Sequence, residues 1–307
     1  TAITVTGIPT LNNVHVLTSM TAVQAEAAAN VTANGLDIVG SAGACTMGIV
    51  LHGSAQLTAT TLTSRNLGTT LTANDQSAAS IGEANISGDR SCSQSLGLIM
   101  VTSSASFSIR NSLLDGGPNH GILLNPRSSL FQATLSTTII KNMRLDGLGG
   151  GAPVGGSMSF QMNGGEISNN GNTGAELGDG TWAFTNVTIQ HNSGLAIYLQ
   201  GATLVMRGCM VTDNGSGIDV FDNAVADLGT ATDPGNNVFH GTTSVGLTLD
   251  GSFGARLINA VGNTWNPSKQ GADTNGRYPT PPSVVFAPIN FADGNNYTLL
   301  GSWSLLR

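Results

Sequence analysis

The stretch NGNTGAELGDGTWAFTNVTIQHNSGLAIYLQGATLVMRGCMVTDNGSGIDVF, residues 170–221, repeats itself at fixed spacing. Asn170, Asn192 and Asn214 lie 22 residues apart, and so do Trp182, Leu204 and Ala226. Each unit reads as Gly, a short alternating apolar strand, a small residue, a second alternating strand, then a polar residue and Asn. A period of this length marks a parallel β-solenoid, in which each coil buries its apolar face only by stacking on its neighbours. The same Gly-led pattern recurs at Gly48, Gly97, Gly121, Gly174, Gly194, Gly217 and Gly246. The fold class this predicts is all-β, with coils over residues 35–267.

Outward from the coils, residues 1–34 read as an alternating strand followed by a helix. Ile3, Val5 and Ile8 mark one apolar face; Thr21 and Gln24 form a capping box ahead of the Ala-rich run Ala22 to Ala29. That helix is the expected lid on the first coil, because an open solenoid end exposes unpaired strand edges. At the other end the repeat is expected to stop after Trp265-Asn266-Pro267. Residues 268–307 then read as a Pro-containing linker and a β-hairpin closing on Trp303, Leu305 and Leu306. The Gly149-Gly150-Gly151 run and residues 231–237 break the period and read as projecting loops.

Composition narrows the function. Charged residues are only 9% of the chain, so its surface must be solvated mainly by hydroxyls and amides, as is common outside the cell. A net charge of −7 provides no basic stripe for phosphates, which excludes nucleic acid as a partner, and no run is long and apolar enough to span a bilayer. Thr1 in place of Met, without a leader, reads as the mature form of a secreted or cell-surface protein. Cys45, Cys92 and Cys209 lack metal-clip spacing; Cys45 and Cys92 are the candidate disulfide across adjacent coils, and Cys209 a small core residue.

Aligning the Gly-led strands sends Val50, Ile99, Leu123, Glu176, Ala196, Asp219 and Thr248 outward in one column. Tyr198, Phe221 and Asp250 fall in the next. Glu176, Tyr198, Asp219, Phe221, Asp222 and Asp250 thus form a candidate sugar-binding face of carboxylates around aromatic rings. Calcium could join these carboxylates; no other cofactor is called for. Polysaccharide enzymes on such a fold also need an Arg or Lys, and none follows in either column, which argues against catalysis on acidic polymers. His191 and His240 occupy turn slots and read as structural. The apolar column Val50, Ile99 and Leu123, with Ile3, Val5, Ile8, Trp303 and Leu305, is a candidate self-association surface, by strand addition from another copy.

The passage from Leu228-Gly229-Thr230 through Asp233-Pro234-Gly235-Asn236-Asn237-Val238-Phe239 to Gly262-Asn263-Thr264-Trp265 and Gly271-Ala272-Asp273 resembles exported bacterial right-handed β-helix proteins that carry a domain of unknown function. The resemblance implies a pectate-lyase-like right-handed parallel β-helix and an extracytoplasmic home, with no implied activity. The resulting expectation is a surface, adhesive or filament-forming structural protein. Its alternative is a polysaccharide-active or carbohydrate-binding β-helix using the aromatic-carboxylate face.

Overall fold

The computed structural model describes residues 1–102, 106–126, 130–152, 157–221, 223–241, 246–250 and 257–266, with the short strands at 272–273, 283–285 and 290–291. Every ladder in it is parallel. One face of the solenoid is a 12-stranded sheet that takes one strand from each coil in chain order, from Ile3–Val5 to Ala272–Asp273. The other strands of each coil bend around the back. Some coils do this in one long strand, such as Gln56–Leu67 or Phe131–Met143; others split it in two, as in Ser106–Arg110 with Leu113–Gly117 and Thr181–Thr185 with Thr188–Gln190.

The core is a set of columns. Ile49, Leu71, Ile99, Ile122, Leu148, Ala175, Ile197, Ile218 and Leu247 are successive register partners on the front sheet. Their stacking buries side chains that each contribute about 1.5–3 kcal/mol when removed from water. At the back, Trp182, Leu204 and Ala226 are partners, as the spacing requires. Phe160 packs on Trp182 with ring centroids 4.9 Å apart.

The Asn residues of the repeat stack in the interior of the turns. Asn170 Nδ2 donates to Asn192 Oδ1 at 2.8 Å, and Asn192 Nδ2 donates to Asn214 Oδ1 at 2.8 Å. The left-handed conformation falls on the residue before each of them: Asn169, His191 and Asp213, all with φ 54. His191 is therefore a corner residue, as read.

The expected capping helix is absent. Residues Thr21–Ala25 form a strand of the front sheet, paired with Ile3–Val5 on one side and Met47–Leu51 on the other. A helix of two turns is marginal by itself. As a strand, the same residues bury Ala22, Val23 and Ala25 and satisfy their main chain on both sides. The coils consequently begin at Ile3, and the boundary at 34/35 has no counterpart: Asn30–Gly40 is a back strand. At the far end, Ser283–Val285 pairs in parallel with Leu257–Asn259, and Asn290–Phe291 with Thr264–Asn266, so these strands add to the solenoid beyond residue 267. Trp303 and Leu305 lie outside the described residues.

The Gly149-Gly150-Gly151 loop is also corrected. Leu148–Gly150 is a front-sheet strand, between His120–Leu124 and Ala175–Leu177. Residues 231–237 do form a loop.

Cys45 and Cys92 are disulfide-bonded, with Cα atoms 5.1 Å apart. They join turns two coils apart rather than adjacent ones, reaching over the short corner at Gly68, whose Cβ position would lie 3.3 Å from Cys45 Cα. Asp89 reinforces the clasp by accepting from Gly43 N at 2.6 Å. Cys209 is a free, buried core residue, and burial pushes its thiol pKa up.

A cleft over a glycine floor as candidate functional site

Registering the front sheet strand by strand corrects the outward column. It runs Gln24, Val50, Thr72, Met100, Leu123, Gly149, Glu176, Tyr198 and Asp219. Ile99 faces inward and is fully buried. The reason is that Gly97 and Gly194 are not equivalent to the other glycines: Leu98 and Ala196 occupy the glycine position in those two coils. Tyr198 thereby moves directly between Glu176 and Asp219, about 4.8 Å from each along the ladder.

This column contains a hole. Leu123 and Tyr198 stand on either side of Gly149 and Glu176, and Gly151 and Gly178 continue the gap into the neighbouring column. The result is a cleft of about 670 Å³. Gly149, Gly150, Gly151 and Gly178 make its floor. His120, Leu123 and Asn125 line one side, Tyr198, Gln200 and Asn223 the other, and Glu176 and Asp179 contribute carboxylates. At Gly150, with φ 139, an added Cβ would collide with the Leu124 carbonyl, so only glycine permits this backbone path. The floor is fixed from beneath: Gly178 N donates to Gly150 O at 2.7 Å, and the Trp182 indole donates to Gly178 O at 2.9 Å.

Two functional residues escaped the sequence reading. Asp146 is buried, and its Oδ1 accepts from Thr173 N at 2.8 Å and from Asn172 Nδ2 at 2.9 Å. Its Oδ2 lies 3.2 Å from His120 Nδ1. That nitrogen is buried and makes no hydrogen bond among the described residues, so it meets Asp146 as a close polar contact, and the 18% of the His120 side chain that remains exposed belongs to the rest of the ring, on the side of the cleft it lines. Glu176 sits one strand beyond. Its pKa is raised above the ordinary glutamate value, first by desolvation and then by the charge of Asp146, with His120 opposing. The signal was present in the sequence: His120 and Asp146 each immediately precede a glycine, Gly121 and Gly147, and those glycines are equivalent.

The other candidates are distributed as follows. Tyr198 and Phe221 pack with ring centroids 6.0 Å apart. Asp219 adjoins Tyr198 in the column, outside the cleft, and Asp250 pairs with Phe221 in the ladder. Asp222 lies outside the described residues. Among the described residues, no three or more His, Cys, Asp or Glu side chains cluster as metal ligands.

The residues named for self-association fall in different surroundings. Val5 is buried in the chain's own core, Ile3 packs against it, Val50 is buried, and Leu123 is a wall of the cleft. Ile8 is 83% exposed. Among the described residues, no helix is long and apolar enough to cross a membrane, which says nothing of strands.

Parallel ladders on every face, stacked asparagines at the turns and a cleft on the front sheet define the class: a parallel β-solenoid with an open groove. The model for the right-handed β-helix region matches residues 96–263, more than half of the chain, and the protein belongs to that family. No curated protein and no solved structure matches it significantly.

Proposed function

We propose that this chain is an exported, glycan-binding surface protein that holds a saccharide in the cleft above Gly149. The observation that carries this reading is the composition and shape of the groove. A shallow trough floored by bare backbone admits a flat pyranose ring. Tyr198 offers an apolar face at its edge, and Asn125, Gln200, Asn223, Glu176 and Asp179 offer amides and carboxylates for hydroxyl groups. Sites for small ligands typically combine an apolar surface with a few placed polar groups in this way. Export is supported by the Cys45–Cys92 disulfide, since such bonds persist in oxidising compartments.

Affinity electrophoresis through gels containing a panel of glucans, mannans, galactans and arabinans tests the reading. At least one polymer is expected to retard the wild type, and Tyr198→Ala to weaken the retardation about tenfold, the equivalent of about 1.4 kcal/mol. Equal mobility of both proteins in every gel would refute it.

A further inference from the structure

We propose that the cleft is catalytic, with the His120 imidazolium as general acid and the Glu176 carboxylate as general base in the hydrolysis of a neutral polysaccharide. This rests on the glycan-binding reading and assigns chemistry to it.

The geometry singles out His120. Histidine in a turn is ordinary; histidine whose inner nitrogen lies 3.2 Å from a buried carboxylate, while its ring borders a cleft, is a group held for proton transfer. Asp146 is held in turn by Thr173 N and Asn172 Nδ2, which fixes the carboxylate before any ligand arrives.

The division of roles follows from donor chemistry: an ionised carboxylate only accepts, so Glu176 is the group that takes the proton of water, and an imidazole carries N–H protons it can give, so His120 serves the departing oxygen. A carboxylate whose affinity for protons is raised by desolvation is also the stronger base. In the reaction, Glu176 takes a proton from water as the water oxygen bonds to the anomeric carbon. The bond from that carbon to the glycosidic oxygen breaks, its electron pair stays on the departing oxygen, and His120 supplies the proton that oxygen needs. The products are two shorter saccharides, one with a new reducing end. Exchange of protons with solvent returns Glu176 to carboxylate and His120 to imidazolium, so only water is consumed.

The substrate class follows from charge. Among the described residues, the titratable groups facing the cleft are His120, Glu176, Asp179 and Tyr198, with Asp146 behind His120 and Asp219 beyond Tyr198, and the lining includes no Lys or Arg. Arg144, two residues before Asp146, is turned onto Pro118 O and Asn119 Oδ1. A uronic acid polymer would bring its carboxylate against two carboxylates, Glu176 and Asp179, with His120 alone to offset them, whereas a neutral polymer meets only hydrogen-bonding groups.

The test is reducing-end release from the same neutral polysaccharides and from polygalacturonate and alginate, measured beside gel retardation. Wild type is expected to cleave at least one neutral polymer and neither acidic one. Glu176→Gln and His120→Gln are each expected to lower kcat about 100-fold or more, a loss read at saturating polymer and so separate from any weakening of retardation. Asp146 is a positioning residue, with its own readout. Asp146→Asn removes a charge that raises Glu176, so the low-pH limb of the activity profile, set by Glu176, should move to lower pH. Retardation without reducing ends from any polymer would overturn the catalytic inference and leave glycan binding standing. Release confined to acidic polymers, or unaffected by His120→Gln, would overturn it as well. Loss of retardation in the wild type would remove the binding reading itself.

Discussion

Gly149 and Glu176 are register partners in the front sheet, and the missing side chain of one opens the space above the other. An added Cβ at Gly149 would meet His120 Nδ1 at 3.5 Å, Leu123 Cδ1 at 3.6 Å and Glu176 O at 3.9 Å, all ordinary contacts. The glycine is therefore kept by the emptiness it provides, not by backbone need. Gly149→Val is expected to abolish retardation by glycan while leaving the melting temperature unchanged or higher, since valine suits a strand better than glycine. Retained binding in a folded Gly149→Val protein would show that the ligand does not occupy this trough.

The asparagine stack predicts a local weak point. Asn192 is buried; its side chain donates to Ile167 O and Asn214 Oδ1 and accepts from Asn170 N and Nδ2. Asn192→Ala leaves several of these buried groups unpaired, at about 1–3 kcal/mol each. Chemical denaturation should show a loss of about 3 kcal/mol or more. A change below about 1 kcal/mol would mean that water replaces the amide at little cost.

The clasp at Cys45 and Cys92 closes a loop with sequence separation 47. Loop-closure entropy places its stabilising effect at about 4 kcal/mol at most. A reducing agent is expected to lower the unfolding midpoint of the wild type to that of Cys92→Ser and to leave the variant's midpoint unchanged. Equal midpoints with and without reductant in the wild type would argue against the bond.

Glu176 gives stability a pH dependence of definite sign. Its native pKa is raised, chiefly by desolvation and next by Asp146. A raised carboxyl binds its proton more tightly in the native state than in the unfolded one. Its contribution is thus fully present below the unfolded value and is lost as pH rises through the native value. Glu176→Gln should melt higher than wild type above that window and at the same temperature below about pH 4. Because the side chain is exposed, the difference should be small. Melting curves that stay parallel across pH would contradict it.

Ile3 and Val5 lie within the first coil, so deleting residues 1–10 removes a front strand rather than a docking arm. Thermal unfolding should fall by several degrees while light scattering reports the same mass as the full chain. A drop in mass would restore the self-association reading of this segment.

Much of the coil architecture was legible because a 22-residue period admits few structures. Asn170, Asn192 and Asn214 announced the stack, and Trp182 and Leu204 announced the back register. What failed was assignment within the coil. The Thr21 to Ala29 run carries helical end signals, yet strand pairing on both sides outweighed local propensity. Gly149 to Gly151 looked like a loop because glycine punctuates loops far more often than it floors a groove. The site was half visible: Glu176 and Tyr198 were named, but Gly97 and Gly194 stood one and two residues off the true glycine position and displaced Ile99 and Tyr198. His120 and Asp146 were missed because the coil beginning at Gly147 was not recognised, so the two residues that precede Gly121 and Gly147 were never aligned.

The clasp over Gly68 also bears on how this solenoid can change length. A coil is a modular unit, and stacked repeats ordinarily tolerate gaining or losing one. Cys45 and Cys92 bridge a gap of one intervening coil, so inserting or deleting a coil there would carry the two thiols out of each other's reach. The disulfide acts as a tally mark, fixing the single turn between residues 45 and 92, while the coils outside that span remain free to vary in number.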